Sequence, residues 1–309
     1  MRIITGTTDF YIEENTAVAI GKFDGIHIGH KRLLQEILAQ KEQGLKACVF
    51  TFDPPPNVLF GKGNEKELTT KEEKRKVFEE LGIDVLVEFP LNLKTAAISP
   101  EDFITDILCG KLHAKMVAAG TDLSFGASGR GNAALLNTMA KQLDMEVCII
   151  HKIMLNDREI SSSLVRECVE VGDMPLAEKL LGEPYTISGK VLHGNRIGRT
   201  LGMPTVNLLP AESKLLPPCG VYYVGVRLQG KDYKAISNIG YKPTVEEQEK
   251  RLGVETYLYG YDGDAYDEEI EVSLYEFKRS EQKFDSLDDL KAQLLVDIKS
   301  GDEYERQLP

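Results

Sequence analysis

From Thr16 to Leu181 the chain alternates between short apolar runs and longer stretches whose apolar residues recur every three or four positions. Residues 16–20, 46–52, 83–89, 115–119 and 145–151 have the length and β-branched content of buried strands. Between them, Leu33, Leu34, Ile37 and Leu38 share one helical face. Thr70-Lys71-Glu72-Glu73 is a capping box that opens a helix ending at Gly82. Ser99-Pro100 caps a further helix that stops at Gly110, and another is expected near residues 132–143. Strands alternating with helices require crossover connections, and so predict an α/β domain with a mainly parallel sheet. Ligands of such sheets bind beyond the carboxyl ends of the strands.

Two short helices, residues 163–171 and 174–181, precede a change of pattern after Gly182-Glu183-Pro184. Residues 184–194, 220–228, 233–239, 254–261 and 269–277 read as short strands separated by glycine-rich and charged turns, with no helix between them. That spacing predicts an antiparallel β-barrel. A closing amphipathic helix, near 286–298, is expected to bury Leu287, Leu290, Leu294 and Leu295. The expected domains are 1–183 and 184–309, and there is no internal repeat or low-complexity tract.

Composition narrows the partners. A length of 309 residues with 42% hydrophobic and 28% charged residues suits two globular domains. The net charge of −12 argues against nucleic acid or an anionic membrane as the main partner, so an anionic ligand needs a local positive site. The five cysteines are scattered without a CxxC, and most lie in or beside apolar runs, which predicts core packing rather than disulfides or a zinc site. Neither a signal segment nor a run of 18 apolar residues occurs, and a cytoplasmic protein is expected.

The most concentrated chemistry lies in Gly21-Lys22-Phe23-Asp24-Gly25-Ile26-His27-Ile28-Gly29-His30, between the first predicted strand and its helix. Free N–H groups and the helix dipole favour an anion at such a turn. Gly29 lacks a Cβ that would obstruct a phosphate, and imidazoles donate hydrogen bonds to phosphoryl oxygens. Ile160-Ser161-Ser162-Ser163-Leu164-Val165-Arg166 puts hydroxyls at a helix start and an arginine one turn further on; taken alone, a capped helix with a solvated arginine is the better reading. Gly120–Gly126 reads equally as a ligand loop or a glycine turn, and Thr51–Pro56 as a stiff turn.

The motif Gly21–His30 resembles the G-x-F-D-G-x-H-x-G-H signature of HxGH nucleotidyltransferases. With Ile160–Arg166 and Gly120–Gly126 following in order, the first half resembles the adenylyltransferase half of bacterial bifunctional riboflavin kinase/FAD synthetases. The resemblance implies ATP and phosphate contacts from Gly21, Phe23, His27, Gly29, His30, Ser162, Ser163 and Arg166, with His27 and His30 catalytic. It also implies flavin or nucleotide contacts from Phe60, Asp122 and Phe125. Ser163 and Leu123 depart from the family's usual threonine and phenylalanine. Pro55 stands where the family usually has histidine and Asn57 where arginine is common, and both changes remove positive groups.

In the second half, residues 194–207 form a cationic glycine loop followed by Thr205 and Asn207, two apart on an extended segment and able to offer oxygen ligands to Mg²⁺. The segment resembles the riboflavin kinase signature, and Asn238–Thr244, Val254-Glu255 and Arg279–Phe284 match its later motifs. By that resemblance Gly194, Gly198, Arg199, Gly202 and Thr205 bind ATP, Thr205 and Asn207 hold Mg²⁺, Arg279 binds flavin and Glu255 is the base. The implied function is phosphorylation of riboflavin to FMN and adenylylation of FMN to FAD. The resemblance also implies that ATP and Mg²⁺ are used in turnover, with no permanently bound cofactor. Two alternatives stay open on the sequence: a chain retaining one activity, and a flavin- or nucleotide-binding regulator without turnover.

Overall fold

The computed structural model describes residues 1–59, 61, 66–192, 203–243 and 250–304. The chain divides into two compact units, Met1–Ser162 and Ser163–Pro309. Strands β1 (Arg2–Thr5), β2 (Thr16–Ile20), β3 (Lys46–Asp53), β4 (Val85–Pro90), β5 (Ala114–Gly120) and β6 (Glu146–Ile150) form a parallel sheet in the order β1-β4-β3-β2-β5-β6. All five residues of β2 are buried, and they alternate between two cores. Val18 and Ile20 face one that includes Ile104 and Leu108. Ala17 and Ala19 face the other with Leu33, Leu34 and Ile37 of the Ile28–Ala39 helix. This two-sided burial is why the run reads as continuously apolar. The chain order reverses between β2 and β5, which puts the carboxyl end of β2 at the topological switch point.

The expected α/β fold is therefore present. The Thr70 capping box forms as predicted, opening the Lys71–Glu80 helix. The helix begun at Ser99-Pro100 continues as a π-helical stretch, Phe103–Lys111. Sequence periodicity did not expose β1 or the small hairpin β7 (Met154–Leu155) and β8 (Arg158–Glu159).

In the second unit, β9 (Tyr185–Leu192), β10 (Val206–Leu208), β11 (Gly220–Leu228), β12 (Lys231–Pro243), β13 (Lys250–Leu258) and β14 (Glu269–Ser280) close into an antiparallel barrel, β10-β13-β12-β11-β14-β9. Five of these runs were expected; β10, three residues long, is the strand that completes closure. The Met174–Leu181 helix packs on β14 and β9, burying Met174, Ala177, Leu180 and Leu181.

The last helix, Leu287–Glu303, corrects one expectation. Leu287 and Leu295 are exposed, at 65% and 53%, and Leu290 and Leu294 are only half-buried. The positions this helix buries are Asp297 and Gly301. Asp297 takes Arg279 and Lys278 of β14, and a Cβ on Gly301 would lie 2.3 Å from the Tyr259 hydroxyl. The helix docks through a polar strip because long-range pairs, not its leucines, fix its rotation. Among the described residues no helix is long and apolar enough to cross a membrane.

Candidate functional site

The turn after β2 is tightly built. Phe23 and Ile26 adopt positive φ, at 51° and 22°, and both side chains are buried. A β-branched residue at such an angle is strained and persists only where packing over-determines it. Here Phe23 lies against Phe78 and His30, with ring centroids 5.5 and 5.1 Å away. That enclosure buries the Phe23 ring completely.

His27 caps the Ile28–Ala39 helix, its Nδ1 accepting the His30 N–H at 3.3 Å. The bond leaves Nδ1 of neutral His27 bare and assigns the proton to Nε2. The two imidazoles stack with centroids 3.8 Å apart. Burial pushes His27 down to about 4, against the opposing pull of the Asp122 carboxylate. Burial, followed by the neighbouring His27, holds His30 well below the ordinary histidine value. Both rings are neutral at neutral pH, so they act as hydrogen-bond donors rather than resident cations. The buried Nδ1 of His30 has no hydrogen-bond partner among the described residues, which a ligand atom would satisfy. Gly29 also spares the histidine pair, since a Cβ there would meet the His27 ring at 3.1 Å.

A distant segment braces the turn. Asp24 Oδ1 accepts the Leu68 and Thr69 N–H groups at 2.8 and 3.3 Å, and Gly25 N donates to Thr69 Oγ1 at 3.1 Å. Ser162 Oγ donates to the Asp24 carbonyl at 2.7 Å, which places Ser162 against the histidine turn. Asp122, exposed, lies 3.5 Å from Lys152. Phe125, by contrast, lies in the core, 3% exposed and packed 5.2 Å from Phe103. Ser163 is exposed and Arg166 half-buried, one turn apart on the Ser162–Val171 helix. Phe60 lies outside the described residues.

In the barrel, Asn207, Glu255 and Asn238 are direct cross-strand partners on β10, β13 and β12. The same row continues through Val221 of β11 to Arg279 of β14. Neighbours in an antiparallel sheet share a face, and the alternate residues Val254, Thr256 and Leu258 are buried inside the barrel. Glu255 therefore stands on the outer face, as the alternation predicted. Thr205 Oγ1 donates to Glu255 Oε1 at 2.7 Å. A hydroxyl, a carboxamide and a carboxylate are hard oxygen donors, and they suit Mg²⁺ completed by phosphate oxygens. Arg279 is engaged by Asp297, with Nε 3.1 Å from Oδ1, and also donates to the Ser280 carbonyl at 2.9 Å. Gly194, Gly198, Arg199 and Gly202 lie outside the described residues.

Residues 10–164 match the family model of FAD synthetase, and residues 181–304 that of riboflavin kinase. A bifunctional riboflavin kinase/FMN adenylyltransferase of Listeria monocytogenes is 36% identical over 298 residues, covering 94% of this chain and 93% of its own. Its Escherichia coli counterpart is 35% identical over 295 residues, with the same coverage of each chain. The chain belongs to the bifunctional riboflavin kinase/FMN adenylyltransferase family. A crystal structure from Streptococcus pneumoniae, described as a macrolide-efflux protein, has a TM-score of 0.84 at 29% identity and covers 98% of this chain and 99% of that one. Within this family frame, the residues that sequence reasoning missed are Leu68 and Thr69, which hold Asp24 and Gly25. The capping box at Thr70 marked the helix start beside them, but nothing local pointed to the turn they brace.

Proposed function

We infer that the two halves carry the two activities in family order: adenylylation of FMN to FAD in the first, phosphorylation of riboflavin to FMN in the second. The observation that supports the first most strongly is the stacked, neutral His27–His30 pair at the carboxyl end of β2, with the His27 proton on Nε2. In the proposed step an FMN phosphate oxygen attacks the α-phosphorus of ATP, and pyrophosphate leaves. The imidazole N–H groups and the helix N-terminus stabilise charge on the phosphoryl oxygens, with Ser163, Arg166 and, once its hydroxyl turns from the Asp24 carbonyl, Ser162 as further phosphate ligands. Gly21 keeps its own position clear of the Phe23 ring, 3.1 Å from where a Cβ would sit. Asp122 is assigned to the flavin or nucleotide side.

In the kinase half, Glu255 accepts or orients the proton of the attacking ribityl hydroxyl, held by Thr205 beside Asn207. Mg²⁺ bound by Thr205 and Asn207 would neutralise phosphate charge. Gly194, Gly198, Arg199 and Gly202 are assigned to the ATP phosphates. The five unpaired cysteines suit the cytoplasmic setting that this reading assigns to the chain. The full chain incubated with riboflavin, ATP and Mg²⁺ is expected to make both FMN and FAD. FMN alone would leave a kinase only, and neither product would leave a binding protein. His27→Ala with His30→Ala is expected to lower FAD formation on the order of 10²–10³-fold while FMN formation persists. Glu255→Gln is expected to do the reverse, abolishing FMN formation but leaving FAD synthesis from supplied FMN intact.

A further inference from the structure

The outer row that holds Glu255 contains a second polar pair that the readings above leave without a role. Asn238 is the direct cross-strand neighbour of Glu255, and its Nδ2 donates to Glu281 Oε1 at 3.2 Å. Glu281 follows the end of β14, so its carboxylate crosses the β11 edge to reach β12. It lies flat over Gly240: a Cβ there would be 1.9 Å from Glu281 Oε1 and 2.8 Å from its Cδ. Gly240 has an unexceptional φ, so the missing side chain makes room for the carboxylate rather than permitting a turn. The Glu281 contact uses the amide NH₂ of Asn238 and fixes which way the carboxamide is turned. Its carbonyl oxygen takes no hydrogen bond among the described residues, and Asn238 holds the sheet position beside Glu255.

We propose that Asn238 is a further substrate contact of the kinase site, its carboxamide oxygen accepting from a ribityl hydroxyl next to the one Glu255 engages, and that Glu281 is the positioning residue that sets its orientation. Two adjacent acceptors favour a polyol over a simple alcohol, because each can take a hydroxyl proton of its own. Glu281 itself remains exposed and acts through Asn238. The inference rests on the kinase reading, and the test separates the two.

Steady-state FMN formation by the full chain is measured for Glu281→Ala, Glu281→Gln, Gly240→Ala and the Glu281→Ala/Gly240→Ala double variant. FAD formation from supplied FMN serves as the control for intact protein. Loss of one orienting hydrogen bond to a charged group is worth about tenfold. Glu281→Ala is expected to raise the riboflavin KM about that much with a smaller change in kcat. Glu281→Gln keeps an acceptor for Asn238 and is expected to restore KM. Gly240→Ala should displace the carboxylate and reproduce the alanine effect, and the double variant should be no worse than either single one. A purely structural role for Glu281 would lower the melting temperature and the active fraction without moving KM. Wild-type KM in Glu281→Ala, or independent additive losses in the double variant, would overturn the inference. Absence of FMN formation in the wild-type chain would instead overturn the kinase reading.

Discussion

Arg279 has two possible employments, and one cycle of substitutions decides between them. The family resemblance makes it a flavin contact, whereas the structure shows it tied to Asp297, a carboxylate only 2% exposed. That carboxylate also lies 3.6 Å from Lys278 Nζ and accepts from Gln293 Nε2 at 3.1 Å. Asp297→Asn keeps the shape and removes the charge, leaving two cations facing a neutral amide. Removing one partner of a buried pair costs roughly 3–5 kcal/mol, because the other charge stays desolvated. For a unit of this size each kcal/mol shifts the melting temperature about 3 °C, so the barrel transition should fall by roughly 10 °C. Calorimetry on the full chain reads it, and the transition of the first unit should not move. Arg279→Met should cost a similar amount, and Arg279→Met with Asp297→Leu should regain most of the loss, giving a large coupling energy. If Arg279→Met left the melting temperature unchanged but raised the riboflavin KM, the pair would not be what anchors the last helix. Arg279 would then be a ligand residue after all.

Three further outcomes follow from the same geometry. His27 has its pKa lowered from 6.5 to about 4 on folding, so the folded state resists protonation; its contribution is whole above pH 6.5 and is lost as pH falls towards 4. On the order of 3 kcal/mol is at stake, and His27→Gln should flatten the acid limb of a urea-denaturation series over that window. Gly25→Ala forces a side chain into φ +79° with its Cβ 2.8 Å from Leu68 Cδ1, and should lower FAD formation while leaving FMN formation unchanged. A fragment starting at residue 184 loses the helix that buries Met174, Ala177, Leu180 and Leu181, and should aggregate on size exclusion where a fragment starting at 163 stays monodisperse.

What could be read from the chain beforehand depended on how local its cause was. Thr16–Ile20 reads as a strand because both faces of β2 are buried, and the Thr70–Glu73 box reads as a helix start because both partners lie within one turn. β1 and β10 gave no such signal. The first buries one of its four residues, and the second has three residues in all. The Leu287–Glu303 helix misled for a related reason. Its leucines suggested one buried stripe, but Arg279 pulls Asp297 inward and turns the helix so that Leu287 and Leu295 face out. No window of neighbouring residues contains that pair.

The histidine turn shows the same division within ten residues. The residue types and their spacing were enough to mark the strand-to-helix turn as a candidate anion site. They did not show that His27 and His30 stack at 3.8 Å, that the His30 N–H fixes the His27 tautomer, or that burial keeps both rings neutral. This changes the chemistry assigned to the pair. Two charged imidazoles in contact would repel, whereas two neutral ones hold their donors in place without that cost. Positive charge must then come from elsewhere. As negative charge grows on a phosphate brought against the rings, their N–H hydrogen bonds strengthen without either ring being protonated. In the adenylylation proposed above, the glycines, the strained Phe23 and Ile26, and the distant Leu68–Thr69 brace would hold two neutral donors where charge develops.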